Sequence, residues 1–513
     1  MTPITVPDHP ATRSFLGGEG KLAEQIARQL EQEIVAAGWP VGQHLGNEES
    51  LVKRFGVSRW VVREAIALTE RDGMTQRLRG RSGGVAVAAP AGDVVAATMR
   101  NYLLFIGIRS QHLMAAFQVL EQLVFERVAR RQDEACQVAL RNLLREPATG
   151  ADKFTLVLHT ERAYQGLLQL AQDPPLHMFT LATSHLLISW SVVLHGNHAS
   201  EPVGNGLASR SWQLRRGQIS AMLARDANKA VALGRTLGRE WLDLLQAKEQ
   251  TLILSQDDLS LAEAQRMADQ IAALTDPPRV SKRVDTLILQ LQHRILVTGL
   301  KPGDPLASEL ELLQRYKVGR GVLREAVRTL ERHGFVRATE GRHGGLKVGE
   351  PSPGQTVRAA VLYFTFLKPA TEDLQELAQG IELAALKLCV RAEHSPAALE
   401  RLEKALDQNT DTDAITLHAL GRRYYRGLAA TTNNPLFQLM MGILGSLYTL
   451  GDDKTSTDDP QIRAAWLDAA RAVVSALRQG DFDCALSHHQ RLRGMGKLFR
   501  FRRRSTDELL TTS

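Results

Sequence analysis

Arginines spaced four apart are the residues here most suited to chemistry. Arg59 and Arg63 lie in Gly56-Val-Ser58-Arg59-Trp60-Val-Val-Arg63-Glu-Ala-Ile-Ala-Leu-Thr-Glu70. Arg320, Arg324 and Arg328 lie in Val318-Gly-Arg320-Gly-Val-Leu-Arg324-Glu-Ala-Val-Arg328-Thr-Leu-Glu331. A spacing of four puts them on one side of a helix. Val61, Val62, Ala65, Ile66 and Leu68 form an apolar stripe elsewhere on the first helix. A planar guanidinium can take guanine O6 and N7 together or grip a phosphate, worth about 1–3 kcal/mol of discrimination per good bidentate pair. Ser58 can cap its helix by accepting from a first-turn amide, whereas Gly319 stands at that place in the second stretch. Upstream, Glu49 to Phe55 reads as another short helix, and two short helices around a glycine make a helix-turn-helix pattern. Either stretch alone is equally compatible with a solvated surface helix.

Repetition decides between these readings. Arg59 and Arg63 recur as Arg320 and Arg324, an offset of 261 that also takes Gly42 to Gly303, Gly83-Gly84 to Gly344-Gly345, Glu121 to Glu382 and Tyr164 to Tyr425. Near the end of each copy the offset becomes 255, with Asp226 answered by Asp481. Two copies of one unit are implied. Each opens with an amphipathic helix, Leu22 to Ala36 or Val284 to Val297, then the paired short helices. A two-stranded hairpin follows, over Thr75 to Val87 or Val336 to Val348, with a Gly-Arg-(Ser/His)-Gly-Gly tip. That is a winged helix-turn-helix. The remainder of each copy has helical periodicity and reads as an all-helical bundle, so the fold class is mainly α. The expected organisation is a disordered lead-in over 1–20, winged heads over 21–90 and 281–350, and helical domains over 91–248 and 351–499. A linker over 249–280, with a helix from Ser260 to Leu274, and a tail over 500–513 complete it.

Composition sets wide bounds. The 513 residues carry a formal charge of +7. From Lys53 to Arg81 eight Lys/Arg stand against three Asp/Glu, and from Glu311 to Lys347 nine against four, so the positive excess sits in the heads. Cys136, Cys389 and Cys484 have no disulfide or zinc spacing, which fits a reducing cytoplasm. No apolar run approaches the roughly 20 residues of a membrane span. Met1 to Gly20 lacks a signal-peptide pattern. Neither a phosphate loop, a Gly-x-Ser-x-Gly turn nor paired catalytic carboxylates are evident, so an enzyme is not expected.

These motifs resemble GntR-type bacterial transcription regulators, in the FadR-like branch with a helical effector domain. In the first head the resemblance rests on Gly56-Val-Ser58-Arg59, Val62-Arg63-Glu-Ala65, Gly73 and Gly80-Arg81-Ser-Gly83-Gly84. In the second it rests on Lys301-Pro-Gly303, Val318-Gly-Arg320, Leu323-Arg324-Glu-Ala326 and Gly341-Arg342-His343-Gly344-Gly345. Tyr164 before Asp173-Pro174 and Tyr425 before Asn434-Pro435 carry it into the bundles. The resemblance implies double-stranded operator DNA as partner. It assigns DNA contact to Ser58, Arg59, Trp60 and Arg63, to Arg320, Arg324 and Arg328, and to the wing tips. Those tips are Arg81, Gly83 and Gly84 in one head and Arg342, His343, Gly344 and Gly345 in the other. Trp60 has packing at the head's surface as a competing role. A third arginine common in relatives is replaced by Glu49 and Leu310. Because Ser58-Arg59-Trp60 differs from Gly319-Arg320-Gly321, the heads are expected to read different half-sites.

Many relatives hold a divalent metal in the helical domain. The matching positions here are Thr160 and Tyr164, and Gly421 and Tyr425, with the later ones falling near Arg215 and Leu237 and near Ala470 and Leu492, so no metal and no cofactor are expected. A pocket of Glu121, Arg162 and Tyr164, or of Glu382, Arg423 and Tyr425, could take a small anionic metabolite; a simply filled core is the competing reading. One chain with two heads could be a covalent pseudo-dimer, or two chains could pair as a homodimer. The functional expectation is a ligand-responsive regulator, more in the manner of a repressor. The alternative is an architectural or protein-binding winged-helix protein.

Overall fold

The structure, a computed structural model, describes residues 18–78, 83–131, 133–147, 153–196, 203–254, 260–273, 282–339, 345–390, 396–407, 417–449 and 460–495. The lead-in up to residue 17, the wing-tip residues Arg81, Arg342, His343 and Gly344, and the tail lie outside the described residues.

Head one comprises α1 (Gly18–Ala36), β1 (His44–Gly46), α2 (Glu48–Phe55), α3 (Arg59–Arg71), β2 (Thr75–Leu78) and β3 (Gly84–Val87). Local chemistry punctuates it. Asn47 accepts from the Ser50 amide to start α2, and Gly56, at φ 64°, ends it. Ser58 accepts from the Val61 amide to start α3. Ala23, Ile26, Ala27 and Leu30 of α1 pack on Val61 and Ala65 of α3. Leu51, Val62, Ile66 and Val85 close the other side. The wing is a three-stranded antiparallel sheet ordered β1-β3-β2, where two strands were expected. Three-residue β1 is too short to show an alternating pattern.

Bundle one comprises α4 (Gly92–Phe105), α5 (Ser110–Arg130), α6 (Glu134–Leu143), α7 (Lys153–Ala171), α8 (Pro174–Gly196), α9 (Val203–Leu223) and α10 (Ala227–Leu254). Then α11 (Leu261–Ala273) packs against α8 and against the first helix of head two. The stretch expected as linker therefore contains a packed helix, joined to head two by a 2.8 Å bond from the Thr286 hydroxyl to Gln265. Head two repeats the first: α12 (Arg283–Val297), β4 (Pro305–Ala307), α13 (Glu309–Tyr316), α14 (Arg320–Arg332), β5 (Val336–Thr339) and β6 (Gly345–Val348). Its sheet order is β4-β6-β5. Bundle two comprises α15 (Pro353–Leu367), α16 (Thr371–Val390), α17 (Pro396–Asp407), α18 (Leu417–Thr431), α19 (Pro435–Thr449), α20 (Pro460–Gln479) and α21 (Phe482–Met495).

The repeats do not form one compact unit each. One unit draws on residues 1–98, 353–378 and 382–513, the other on 99–352 with 379–381. The first therefore combines head one with bundle two, and the second combines bundle one with head two. Within the first unit, Leu362 of α15 joins Ile34, Trp39, Met74 and Val87 in one core cluster, and Phe366 packs on Trp39 at 5.5 Å. Within the second, Leu104 and Phe105 of α4 pack on the core of head two, with Phe105 edge-on to Phe335 at 6.4 Å. Phe105 and Phe366 are 261 apart. The same residue of each repeat thus packs on the head of the other.

Candidate nucleic-acid interface and bundle interiors

In head one, the buried stripe Val61, Val62, Ala65, Ile66 and Thr69 turns the opposite side of α3 outward. Ser58, Arg59, Trp60 and Arg63 are exposed there. Trp60 is 50% exposed, so its ring is not part of the core. Arg63 Nε donates to Glu48 at 2.8 Å, and the hydrogen bond and charge of Glu48 raise its pKa. Arg77, from β2, pairs with Glu70 at 3.1 Å and also donates to the Arg63 carbonyl.

Head two presents Arg320, Arg324 and Arg328 as an exposed row along α14. Among the described residues none of the three has a hydrogen-bond or salt-bridge partner. Glu309 stands where head one has Glu48 but does not hold Arg324, and Ala338 replaces Arg77. Instead Glu331, the counterpart of Glu70, accepts from the Ala338 amide at 2.7 Å. Gly319 begins α14 without a side-chain cap.

The described wing glycines have an internal reason. A Cβ on Gly84 would meet the Gly46 carbonyl at 2.7 Å and the His44 ring, and one on Gly345 would meet the Ala307 carbonyl at 3.0 Å. Each lets the short third strand close onto the sheet. Gly83, beside the tip, is half-buried.

Inside bundle one, Glu121 (α5) is buried and accepts from Arg215 (α9) at 2.8 Å. Arg215 also donates to Gln218 at 2.6 Å and lies 4.4 Å over the Tyr164 ring. Burial drives the Tyr164 pKa well above its usual value and raises that of neighbouring Glu161. Arg215 Nε, Gln218 Nε2 and the Tyr164 hydroxyl are buried without hydrogen-bond partners. Arg162 is exposed on α7, because one residue along a helix from buried Ala163 turns it outward. It is not brought to this interior.

Inside bundle two, Glu382 is buried and accepts from His489 Nε2 at 3.0 Å and, at closer range, from Arg493. His489 Nδ1 meets the Tyr424 hydroxyl at 2.9 Å. Tyr424 is the fully buried tyrosine here, with its pKa driven up by burial, while Tyr425 and Arg423 are half-buried. Adjacent tyrosines on one helix made the sequence choice ambiguous, and the interior takes the first.

The description "Bacterial regulatory proteins, gntR family" matches residues 22–85 and again 283–343, beginning 261 residues apart, and the FCD domain description matches 373–492. Two segments of the chain thus belong to the gntR family, and an FCD domain follows the second. It is similar to the fatty acid metabolism regulator protein of Serratia proteamaculans (strain 568), 29% identical over 29% of this chain and 62% of that protein. It is also similar to the galactonate operon transcriptional repressor of Escherichia coli (strain K12), 22% identical over 40% of this chain and 90% of that protein. The chain thus spans less than two thirds of the Serratia relative's length. Among solved structures, Streptococcus agalactiae GntR aligns with 43% of this chain and 99% of its own, at 18% identity and a TM-score of 0.30. No described helix is long and apolar enough to cross a membrane.

The two interiors do not fit a divalent cation. The oxygen of Glu121 that would face one accepts from a guanidinium, and Glu382 is shared between His489 and Arg493. Thr160, at a ligand position of relatives, donates to the Leu156 carbonyl. Sequence reasoning missed Arg215, His489 and Arg493 as partners of the glutamates. The signal was there at the 255 offset: Arg215 faces Ala470 and His489 faces Gly234. A Cβ on Gly234 would meet Gln218 at 2.9 Å and a Glu121 oxygen closer still.

Proposed function

We propose that this chain is a sequence-specific, DNA-binding transcription regulator with two unequal reading heads, acting as a ligand-responsive repressor. The observation that carries the reading is the pair of winged heads whose recognition helices each turn arginines to solvent, Arg59 and Arg63 on α3 and Arg320, Arg324 and Arg328 on α14. Such arginines fit base edges in a major groove, and glycine-tipped wings fit the adjoining backbone or minor groove. The predicted wing contacts of Arg81, Gly83, Gly84, Arg342, His343, Gly344 and Gly345 belong to the same reading.

Unequal heads are supported by Trp60 facing Gly321 and Ser58 facing Gly319, with an arginine row only in head two. The operator is then two unlike half-sites. In bundle one, the unpartnered donors of Arg215, Gln218 and Tyr164 support a small anionic effector, because buried donors without acceptors carry a desolvation cost that a carboxylate or phosphate would offset. The combination of each head with the other repeat's bundle supports a covalent pseudo-dimer, one chain supplying what two chains otherwise assemble.

A competition gel of promoter fragments against random DNA, at stated salt, tests the central reading. Selection for the promoter is the expected result. Equal affinity would favour an architectural winged-helix protein instead. A strictly palindromic site from binding-site selection would sink the unlike half-sites, and a two-chain mass on one operator would sink the pseudo-dimer.

A further inference from the structure

We infer that head one answers to the bundle of the second repeat, with Arg358 as the positioning residue that carries the link. This rests on the reading of the heads as DNA-binding. Arg358 lies on α15, which packs against α19 within bundle two. Its Nε donates to Asp72 at 3.0 Å, and its Nη2 donates to Glu31 at closer range. Asp72 is the residue that closes the recognition helix α3, and Glu31 lies on α1, which packs along α3. One guanidinium therefore grips both helices of the reading unit. It does so at the end remote from Arg59: α3 has 13 residues, about 20 Å at 1.5 Å each. A small rotation of α15 becomes a tilt of the arginines at the far end.

The grip is charged and largely shielded. Burial lowers the Arg358 pKa, but Asp72 and Glu31 outweigh it and the net shift is upward. Burial raises the Glu31 pKa more than Arg358 lowers it. Apolar contacts fix the same joint: Phe366 against Trp39, and Leu362 in the head's core.

None of the three charges recurs. At the 261 offset Glu31 becomes Gln292, Asp72 becomes His333, and Arg358 corresponds to Ala97. The joint of head two instead has Gln292 donating to Asn101 at 3.2 Å. Arg100, one residue away, is buried with that same amide oxygen as its partner among the described residues, and burial lowers its pKa to about 10. A shift of bundle two thus reaches head one through an ionic grip. A shift of bundle one reaches head two through amides, Phe105 and α11.

Footprinting of the full chain on a selected operator tests this. Arg59→Ala first marks the half-site read by head one. Arg358→Met is expected to lose at least about fivefold in affinity there, the low end of coupling between sites, and to leave the other half-site unchanged. Arg358→Lys restores part of the loss, because one ammonium can still reach one carboxylate. Equal weakening of both half-sites, or no weakening, with a wild-type circular dichroism spectrum overturns the inference. Should Arg358→Met fail to fold, Glu31→Gln and Asp72→Asn decide by the same half-site criterion. A wild-type chain that prefers no fragment over random DNA overturns the regulator reading and this inference together. Selective wild-type binding with an unchanged Arg358→Met footprint overturns this inference alone.

Discussion

Glu121 and Glu382 occupy the same place in the two repeats and both are buried, yet they are answered from opposite helices. In bundle one the cation is Arg215 on α9, and at the places of His489 and Arg493 α10 has Gly234 and Gly238. In bundle two the partners are His489 and Arg493 on α21, and at the place of Arg215 α20 has Ala470. The heads diverge in the same manner. Head one ties Arg63 to Glu48 and caps α3 with Ser58, whereas head two leaves Arg324 untied and begins α14 at an uncapped glycine. Two copies that began alike have kept the buried carboxylate and the exposed arginines while exchanging what surrounds them. The requirement in each case is for a charge and its compensation, not for a particular residue on a particular helix.

The sharpest way to break the bundle comparison is to remove one cation from each. Arg215→Met leaves Glu121 buried without its partner and should cost about 3–5 kcal/mol in urea unfolding. Arg493→Met should cost no more than about half of that, since His489 still donates to Glu382. Equal losses would mean that His489 does not share the charge.

The heads offer the next effects in size. Arg324→Ala should cost about 1–3 kcal/mol at the half-site of head two in a footprint titration, if the arginine takes a base bidentately. A loss spread evenly over all sequences would assign Arg324 to phosphate instead. Caps come next: Ser58→Ala should lower the stability of head one by about 1 kcal/mol, read by hydrogen exchange of α3 amides, while Gly319→Ser should gain head two only a few tenths. The smallest expected effect is a gain. Glu48→Gln frees Arg63 and should strengthen head-one binding by at most about fivefold, less at high salt. Unchanged binding at low salt would show that Glu48 does not restrain the arginine.

Much of this was legible in the chain. The Gly56 to Glu70 stretch and its twin specify helices with one apolar and one basic side, the first capped by Ser58 and the second begun at Gly319, and the structure builds α3 and α14 from them. The bundles followed from helical periodicity. What escaped has physical causes. β1 and β4 have three residues each, too few to alternate, and only Gly84 and Gly345 hint that another backbone must approach. The partners of Glu121 and Glu382 come from helices far away in sequence, so no local spacing marks them. Arg162 looked like a lining residue by its closeness to Tyr164, but a helix turns adjacent residues apart. The exchange of heads was invisible for a simpler reason: two similar repeats present similar faces, and a local pattern cannot say which copy a helix will choose.

That exchange changes what it means to divide the protein. A cut between α10 and α11 separates the repeats in sequence, but it leaves Trp39 and Asp72 on one fragment and Phe366 and Arg358 on the other. It likewise parts Phe105 from Phe335. Neither fragment owns a complete head–bundle joint, and each holds the missing half of the other's. The two pieces should therefore seek one another in solution, like the halves of a clasp, before either could work.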